Sequence, residues 1–341
     1  MTQEPISPAI SQPVTVVRRL FGLWRMNPVT LKELRGRMRG ARAFVVLTVY
    51  LGLLAGFALT LYVLYVASFD ATIHSSQNGV FGRTLFLGVL AIELFLITFI
   101  VPAFTAGAIT GERERQTYDL LRTTLIKPRA LVVGKLISAL AYVFLLLLAA
   151  IPLQSLAFLF GGVGLEELLL SFIILLVTAV LLGTVGLFFS AGQRRTLSAS
   201  VATYGIGLFI TIGLPLMLLI FLAIVGPFVV GLTGANFPLE LRAAFTYIIG
   251  ALICTNPLAA GFVSQALLSD KGQIGFFTQT YSAAGTSVTL PLVSPWIVFS
   301  LLYLLVSVVL LRATIRRVGQ IDTNNDALIY TLKKNERGAQ L

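Results

Sequence analysis

Few side chains of this sequence could take part in catalysis or metal binding. The chain has one histidine, His74, and one cysteine, Cys254. A His-based proton relay, an intrachain disulfide and a Cys/His metal site are therefore not expected. The acidic residues between the apolar runs are scattered, whereas a catalytic site needs acids clustered with other functional groups. We expect no catalytic site, bound cofactor or metal in this chain.

One acidic residue, Glu93, lies in the middle of an apolar run. A charge at the centre of a bilayer costs about 2.5–3.5 kcal/mol on insertion scales, so Glu93 must face other helices or be protonated. One hypothesis is a hydrogen bond that ties two helices together. The other is a polar group that lines a transport pathway.

The densest cluster of charged and polar residues lies at 110–121. The pattern predicts one short helix, with Glu112 and Glu114 near its positive end and Arg115 on the polar side with Asp119. The opposite side carries these residues: Thr117, Tyr118, Leu120 and Leu121. Exposed apolar residues suit a membrane surface or a groove in a partner protein; the alternative is a simple connector between two spans.

A second short helix is predicted at 28–42, just before the first apolar run. Its apolar side chains share one third of the helix circumference: Leu31, Leu34, Met38 and Ala41. Its basic side chains fall beside them: Lys32, Arg35, Arg39 and Arg42. This pattern favours a basic amphipathic helix in the lipid headgroup region. The alternative is a solvated linker with basic anchors.

The elements that must position these residues are apolar helices. Hydrophobic residues make up 57% of the chain and charged residues 11%, against about 25% charged residues in soluble domains. Apolar runs of this length cross a bilayer as helices. We predict an all-α polytopic membrane protein with six spans: 44–67, about 85–109, about 131–160, about 168–190, about 197–231 and about 292–311. Pro215 and Pro227 are expected to kink the fifth span or end it early.

The placement of basic residues predicts the orientation. Cytoplasmic segments are enriched in Lys and Arg, and six spans with an inside N-terminus place 22 of the 25 basic residues inside. A further apolar stretch at 243–263 is then a pair of re-entrant helices within about 238–270, rather than a seventh span. The predicted division is 1–43 cytoplasmic, 44–311 transmembrane and 312–341 cytoplasmic. Since the basic residues flank spans, nucleic-acid binding is not expected.

The region around 100–136 resembles the ABC-2 type permease family. That family has a "GER-x-x-GT-x-x-LL" core and then "GK" at the head of the third span. The matching residues here are Gly111, Glu112, Arg113, Thr117, Leu120, Leu121, Gly134 and Lys135. Gln116 stands where the family usually has glycine, and inside a helix this change should be harmless. Asn27-Pro28 with Lys32-Glu33 and Arg35 resembles the family's entry helix, and Asn256-Pro257 its extracellular re-entrant element.

The resemblance implies the transmembrane subunit of an ABC transporter in the plasma or inner membrane, by family analogy an exporter. ATP and Mg²⁺ would bind a separate ATPase subunit, because the chain has no phosphate-binding loop. The other partner would be a second copy or a paralogue of the permease. The resemblance makes 110–121 the coupling helix, with these contact residues: Glu112, Arg113, Glu114, Arg115, Thr117, Tyr118, Leu120 and Leu121. A secondary transporter and a membrane-embedded enzyme are the alternatives.

Overall fold

The computed structural model describes residues 28–38, 40–67, 78–118, 127–232, 239–272, 274–283 and 286–339. Within these ranges the chain is almost entirely helical. The helices are α1 Pro28–Met38, α2 Ala41–Ala67, α3 Asn78–Thr105, α4 Thr110–Glu114, α5 Pro128–Phe160, α6 Leu165–Gly192, α7 Thr196–Leu208, α8 Leu214–Leu232, α9 Leu239–Cys254, α10 Pro257–Lys271 and α11 Pro295–Ala339. The strands are β1 Phe276–Ala283 and β2 Thr286–Val293, and a π-helical turn, Phe209–Gly213, joins α7 to α8.

Six helical segments in the described ranges are long and apolar enough to cross a membrane. They are Ala43–Ala67, Gly79–Glu114, Pro128–Phe160, Leu165–Gly192, Thr196–Pro227 and Pro295–Gln320. Each corresponds to one of the six predicted spans, and most begin a few residues earlier than expected. The prediction of an all-α polytopic membrane protein with six candidate spans is confirmed at this level.

The fourth span, α6, is the centre of the bundle. In its most apolar stretch, 72% of the residues are buried inside the chain, the largest share among the six spans. Val101 of α3, Leu147 of α5 and Leu182 of α6 belong to one buried cluster. On another side of α6, Ile174 packs with Phe299 of α11. Because α6 contacts several other spans, residues at its ends are held in fixed positions.

The helical backbone of the fifth span continues past both of its prolines, beyond the candidate span Thr196–Pro227. It runs from Thr196 to Leu232 and contains the π-helical turn, in which the Leu214 N–H donates to the Phe209 carbonyl. Pro215 has no N–H, and its ring crowds the carbonyl four residues earlier, which belongs to Thr211. The wider π turn lets the helix continue past this proline.

Two short helices and a β-hairpin lie between the fifth and sixth spans. Ala244–Cys254 and Pro257–Ser269 form a pair of helices bent by 118°. Asn256 begins the second helix, since its side-chain oxygen accepts from the N–H groups of Leu258 and Ala259. The antiparallel hairpin that follows pairs Phe276 with Val293. Sequence analysis did not predict the hairpin, although its strands are rich in β-branched and aromatic residues.

The sixth span and the predicted C-terminal segment form one helix. α11 begins at Pro295 and continues to Ala339, so the residues predicted to form a cytoplasmic tail, 312–341, continue the helix of the sixth span as far as the described residues reach. Its residues 310–318 pack against the ends of α5 and α6, where the polar residues of the candidate site also meet.

Candidate functional site

The polar residues at one end of the bundle converge on Lys135. This side chain lies two turns into α5 and is 2% exposed. Its ammonium donates to Glu33 Oε1 of α1 at 2.7 Å and to Glu112 Oε1 of α4 at 2.6 Å. The Ser138 hydroxyl donates to the second oxygen of Glu33 at 3.1 Å. One buried cation therefore joins α1, which precedes the first span, α4 at the end of the second candidate span, and the third span.

The charges of this cluster are close to balanced. Burial by itself raises the pKa of Glu33, but the charge and hydrogen bond of Lys135, together with nearby Arg37, hold that pKa below its ordinary value. Arg37 lies 3.4 Å from Glu33 and also donates to the Phe104 carbonyl at 3.1 Å. Removing one member of a buried ion pair is costly because the remaining charge loses its partner.

The start of α4 is capped by a side chain from α6. Ser190 Oγ accepts from the N–H groups of Ile109 at 2.9 Å and Thr110 at 3.1 Å, the function that a capping side chain usually performs for its own helix. One turn earlier, Gly186 lets α6 approach α3 closely, since a Cβ there would collide with Thr105. Ser190 was not singled out by sequence analysis, because no local pattern connects it to residue 110.

Two further charged residues of the predicted coupling helix bond to neighbouring spans. Arg113 donates to the carbonyls of Ala191 at 3.1 Å and Gln193 at 3.3 Å, at the C-terminal end of α6, where a cation is favoured. Glu114 accepts from the N–H and the hydroxyl of Thr196, both at 2.7 Å, at the start of α7. α4 is thus fixed to α5, α6 and α7.

The structure corrects the predicted helix at 110–121. α4 ends at Glu114, residues 115 and 116 form a turn, and Tyr118 is helical again. Tyr118 was predicted to be exposed, but it is 6% exposed, and the Arg113 guanidinium lies 5.2 Å from the centre of its ring. Arg115 and Thr117 are exposed. Leu120 and Leu121 lie outside the described residues.

The turn also corrects the interpretation of Gln116. This residue is not inside a helix; its φ is +58°, a left-handed conformation that costs most side-chain-bearing residues about 1–2 kcal/mol. Glycine adopts this conformation readily, and glycine is the residue usual at this position in the family that the sequence resembles. The departure from the family pattern is therefore expected to carry a conformational cost.

We expect Gln116→Gly to stabilise the folded protein by about 1 kcal/mol, because it relieves the left-handed strain. Gln116→Ala is the matched control, since it shortens the side chain without relieving the strain. Thermal unfolding of the purified protein measures both. Equal melting temperatures for the glycine and alanine variants would contradict the left-handed conformation.

The N-terminal helix is shorter than predicted and is docked on the bundle. α1 ends at Met38, and Gly40 follows with φ +116°, so the predicted helix over 28–42 is interrupted. Lys32 and Arg35 are exposed, while Arg39 and the side chain of Arg42 lie outside the described part of the chain. The face of α1 that carries Glu33 contacts α5.

Glu93 lies within the bundle and is completely buried. The side-chain amide of Gln154 on α5 donates to its carboxylate. Glu93 Oε1 and the hydroxyl of Tyr50 on α2 are both buried and form no hydrogen bond with a described residue. The hydrogen bond from Gln154 joins α5 to α3 and favours the packing hypothesis for Glu93. Gln154 was not singled out, although an amide in an apolar run indicates a polar partner on another helix.

No protein-family model matches the sequence, and no curated protein matches it.

Proposed function

We propose that this chain is the transmembrane permease subunit of an ABC transporter of the exporter type, driven by a separate ATPase subunit. The observation that supports this most directly is that the Lys135 ammonium forms ion pairs with both Glu33 and Glu112. It fastens the segment that resembles the family's coupling motif to the third span. Short charge-assisted bonds of this kind are stronger and more directional than neutral ones.

In this proposal the segment at 110–121 receives the movement of the ATPase and passes it to the spans. Glu112, Arg113 and Glu114 transmit movement, because each bonds to a different helix of the bundle. The surface that meets the ATPase is formed by exposed Arg115 and Thr117, with Leu120 and Leu121 as apolar anchors. Tyr118 positions the segment from inside. ATP and Mg²⁺ bind the partner ATPase, and the working unit pairs two permease chains.

Loss of the apolar anchors tests the proposed function. We expect the double variant Leu120→Ser/Leu121→Ser to insert and fold normally but to lose association with the ATPase that co-purifies with the wild-type chain, since a few apolar anchors carry most of the binding energy of such contacts. ATP hydrolysis and ATP-dependent transport in proteoliposomes should fall with it.

The matched control is Leu165→Ser/Leu169→Ser, which changes two exposed leucines at the opposite end of α6. This control should keep the ATPase. A Leu120/Leu121 double variant that retains both the ATPase and ATP-driven transport would show that the segment is only a connector. Transport that proceeds without ATP would instead identify a secondary transporter.

The orientation forms part of the proposal. Both termini lie in the cytoplasm of the plasma or inner membrane, α1 lies at the headgroup level, and the bent pair α9 and α10 enters the membrane from outside and returns. The support is the concentration of basic residues in the segments assigned to the inside. The site around Lys135 is then cytoplasmic, where an ATPase can reach it.

Cysteine labelling tests the orientation. In a Cys254→Ala background, we expect Gly164→Cys to react with a membrane-impermeant maleimide added outside intact cells. Ser198→Cys should react only after the membrane is opened. Both positions are exposed in the folded chain, so the difference reports sidedness and not burial. External labelling of Ser198→Cys would exclude the proposed orientation.

A further inference from the structure

A groove with a volume of about 450 Å³ lies between the first turns of α5 and the middle of α11. Four of the residues that line it are apolar and are called the floor below: Val133, Val308, Leu311 and Ile315. The other three are exposed arginines and are called the rim: Arg129, Arg312 and Arg316. The lining residues on α11 are spaced three or four apart and so lie on one face of that helix. Apolar and basic side chains therefore lie next to each other along the groove.

The three arginines are available to a ligand. All three are exposed, and no described residue forms an ion pair or a hydrogen bond with any of them. The neighbouring Arg317 points elsewhere, since its guanidinium lies 4.0 Å from the centre of the Phe188 ring on α6. Nothing described in the chain therefore neutralises the rim.

The acidic residues of α1 and α4, at this end of the bundle, are already bonded to other groups. Glu33 and Glu112 are held by Lys135, and Glu114 accepts two hydrogen bonds from Thr196. The rim thus keeps its positive charge next to the membrane. A positive cluster of this kind attracts a phosphate group.

The floor of the groove continues into the lipid-facing surface of the sixth span. Along α11, Leu301 is 65% exposed, Leu305 63% and Val308 46%. Their spacing places them on one stripe that leads to Arg312. An acyl chain lying along this stripe would bring its phosphate to the rim, whereas a free phosphate ion would leave the apolar floor uncovered.

We propose that this groove is a binding site for one anionic phospholipid, with its phosphate among Arg129, Arg312 and Arg316 and an acyl chain along the apolar floor. Basic pockets between transmembrane helices are suited to such headgroups. The site is separate from the Lys135 cluster and does not depend on the proposed transport function.

Lipid binding by the purified full-length chain tests the proposal. Native mass spectrometry in a neutral detergent would compare phosphatidylglycerol with phosphatidylcholine of the same acyl chains. We expect phosphatidylglycerol to bind about tenfold more tightly or better, because each basic residue near the headgroup adds to the attraction. Inorganic phosphate at millimolar concentration should not displace it.

Three variants separate the contributions. Arg129→Gln/Arg312→Gln/Arg316→Gln should abolish the preference for phosphatidylglycerol. Val308→Trp should weaken its binding by filling the floor while the charges stay. The matched control Arg115→Gln/Arg194→Gln/Arg195→Gln removes the same charge from other exposed positions at this end and should keep the preference.

Two results would overturn the proposal. One is a rim variant that still prefers phosphatidylglycerol. The other is displacement of bound phosphatidylglycerol by millimolar inorganic phosphate, which would indicate a site for free anions. If the triple rim variant does not fold, two single variants decide instead. A weaker preference for phosphatidylglycerol in Arg312→Gln together with weaker binding by Val308→Trp supports the proposal, and wild-type behaviour of either variant contradicts it.

Discussion

Lys135→Met is expected to destabilise the folded protein by about 3–5 kcal/mol, because it leaves two partly buried carboxylates without their shared cation. Glu33 and Glu112 lie 2.7 Å and 2.6 Å from the ammonium, and their mutual repulsion would no longer be compensated. α1 and α4 should both loosen from α5. Thermal unfolding in detergent measures the loss of stability, and protease sensitivity of 28–38 reports release of α1.

The control for this prediction removes the charges together. The triple variant Glu33→Gln/Lys135→Met/Glu112→Gln should be more stable than Lys135→Met alone, since no uncompensated charge remains and members of one network are not additive. If the triple variant is as unstable as the single one, packing of the lysine stem and not its charge holds the cluster together. If Lys135→Met unfolds like the wild type, the ion pairs contribute no stability.

Glu93→Leu is expected to cost about 2–3 kcal/mol, whereas Glu93→Gln is expected to be nearly neutral. The leucine leaves the Gln154 amide buried without its acceptor, and an unsatisfied buried donor bears its full desolvation penalty. The glutamine keeps an oxygen acceptor without the desolvation cost of a charge. Thermal unfolding and the yield of assembled protein measure both variants.

A double variant identifies the partner. Glu93→Leu/Gln154→Leu should recover part of the stability lost in Glu93→Leu, because the unpaired amide is removed. Full stability of Glu93→Leu alone would show that Glu93 does not tie the helices together. If Glu93→Gln is stable but transports nothing, the pathway hypothesis explains Glu93 better than the packing hypothesis.

The spans could be predicted from the sequence because the signal is local. A run of apolar residues long enough to cross a bilayer is visible in the chain itself, and each predicted span overlaps an observed helix. The charged cluster could not be predicted in the same way. Glu33 lies 102 residues from Lys135, and helical spacing rules relate only residues three or four apart.

The segment after α4 shows where local rules fail. A helix through Gln116 and Tyr118 agreed with the pattern of acids, hydroxyls and leucines. In the folded chain, Ser190 accepts a hydrogen bond from the backbone N–H of Ile109, and Thr196 donates one to the Glu114 carboxylate. The Tyr118 ring is buried and packs against the Arg113 guanidinium. Tertiary contacts therefore decide the path of the backbone here, and propensity is only a weak guide.

The fifth span, Thr196–Pro227, is the most apolar of the six, yet only 6% of its most apolar stretch is buried inside the chain. During biogenesis, few contacts with the rest of the chain can help to hold it in the bilayer, so its partition from the translocon depends on its own composition. Leucine favours entry there, whereas a charged residue opposes it by about 2.5–3.5 kcal/mol. Exposed positions such as Leu219 and Ile224 are consequently constrained before folding begins. In this span, the side chains on the outside of the bundle are the ones that tolerate polar substitution least. On a water-soluble protein, exposed side chains tolerate it best.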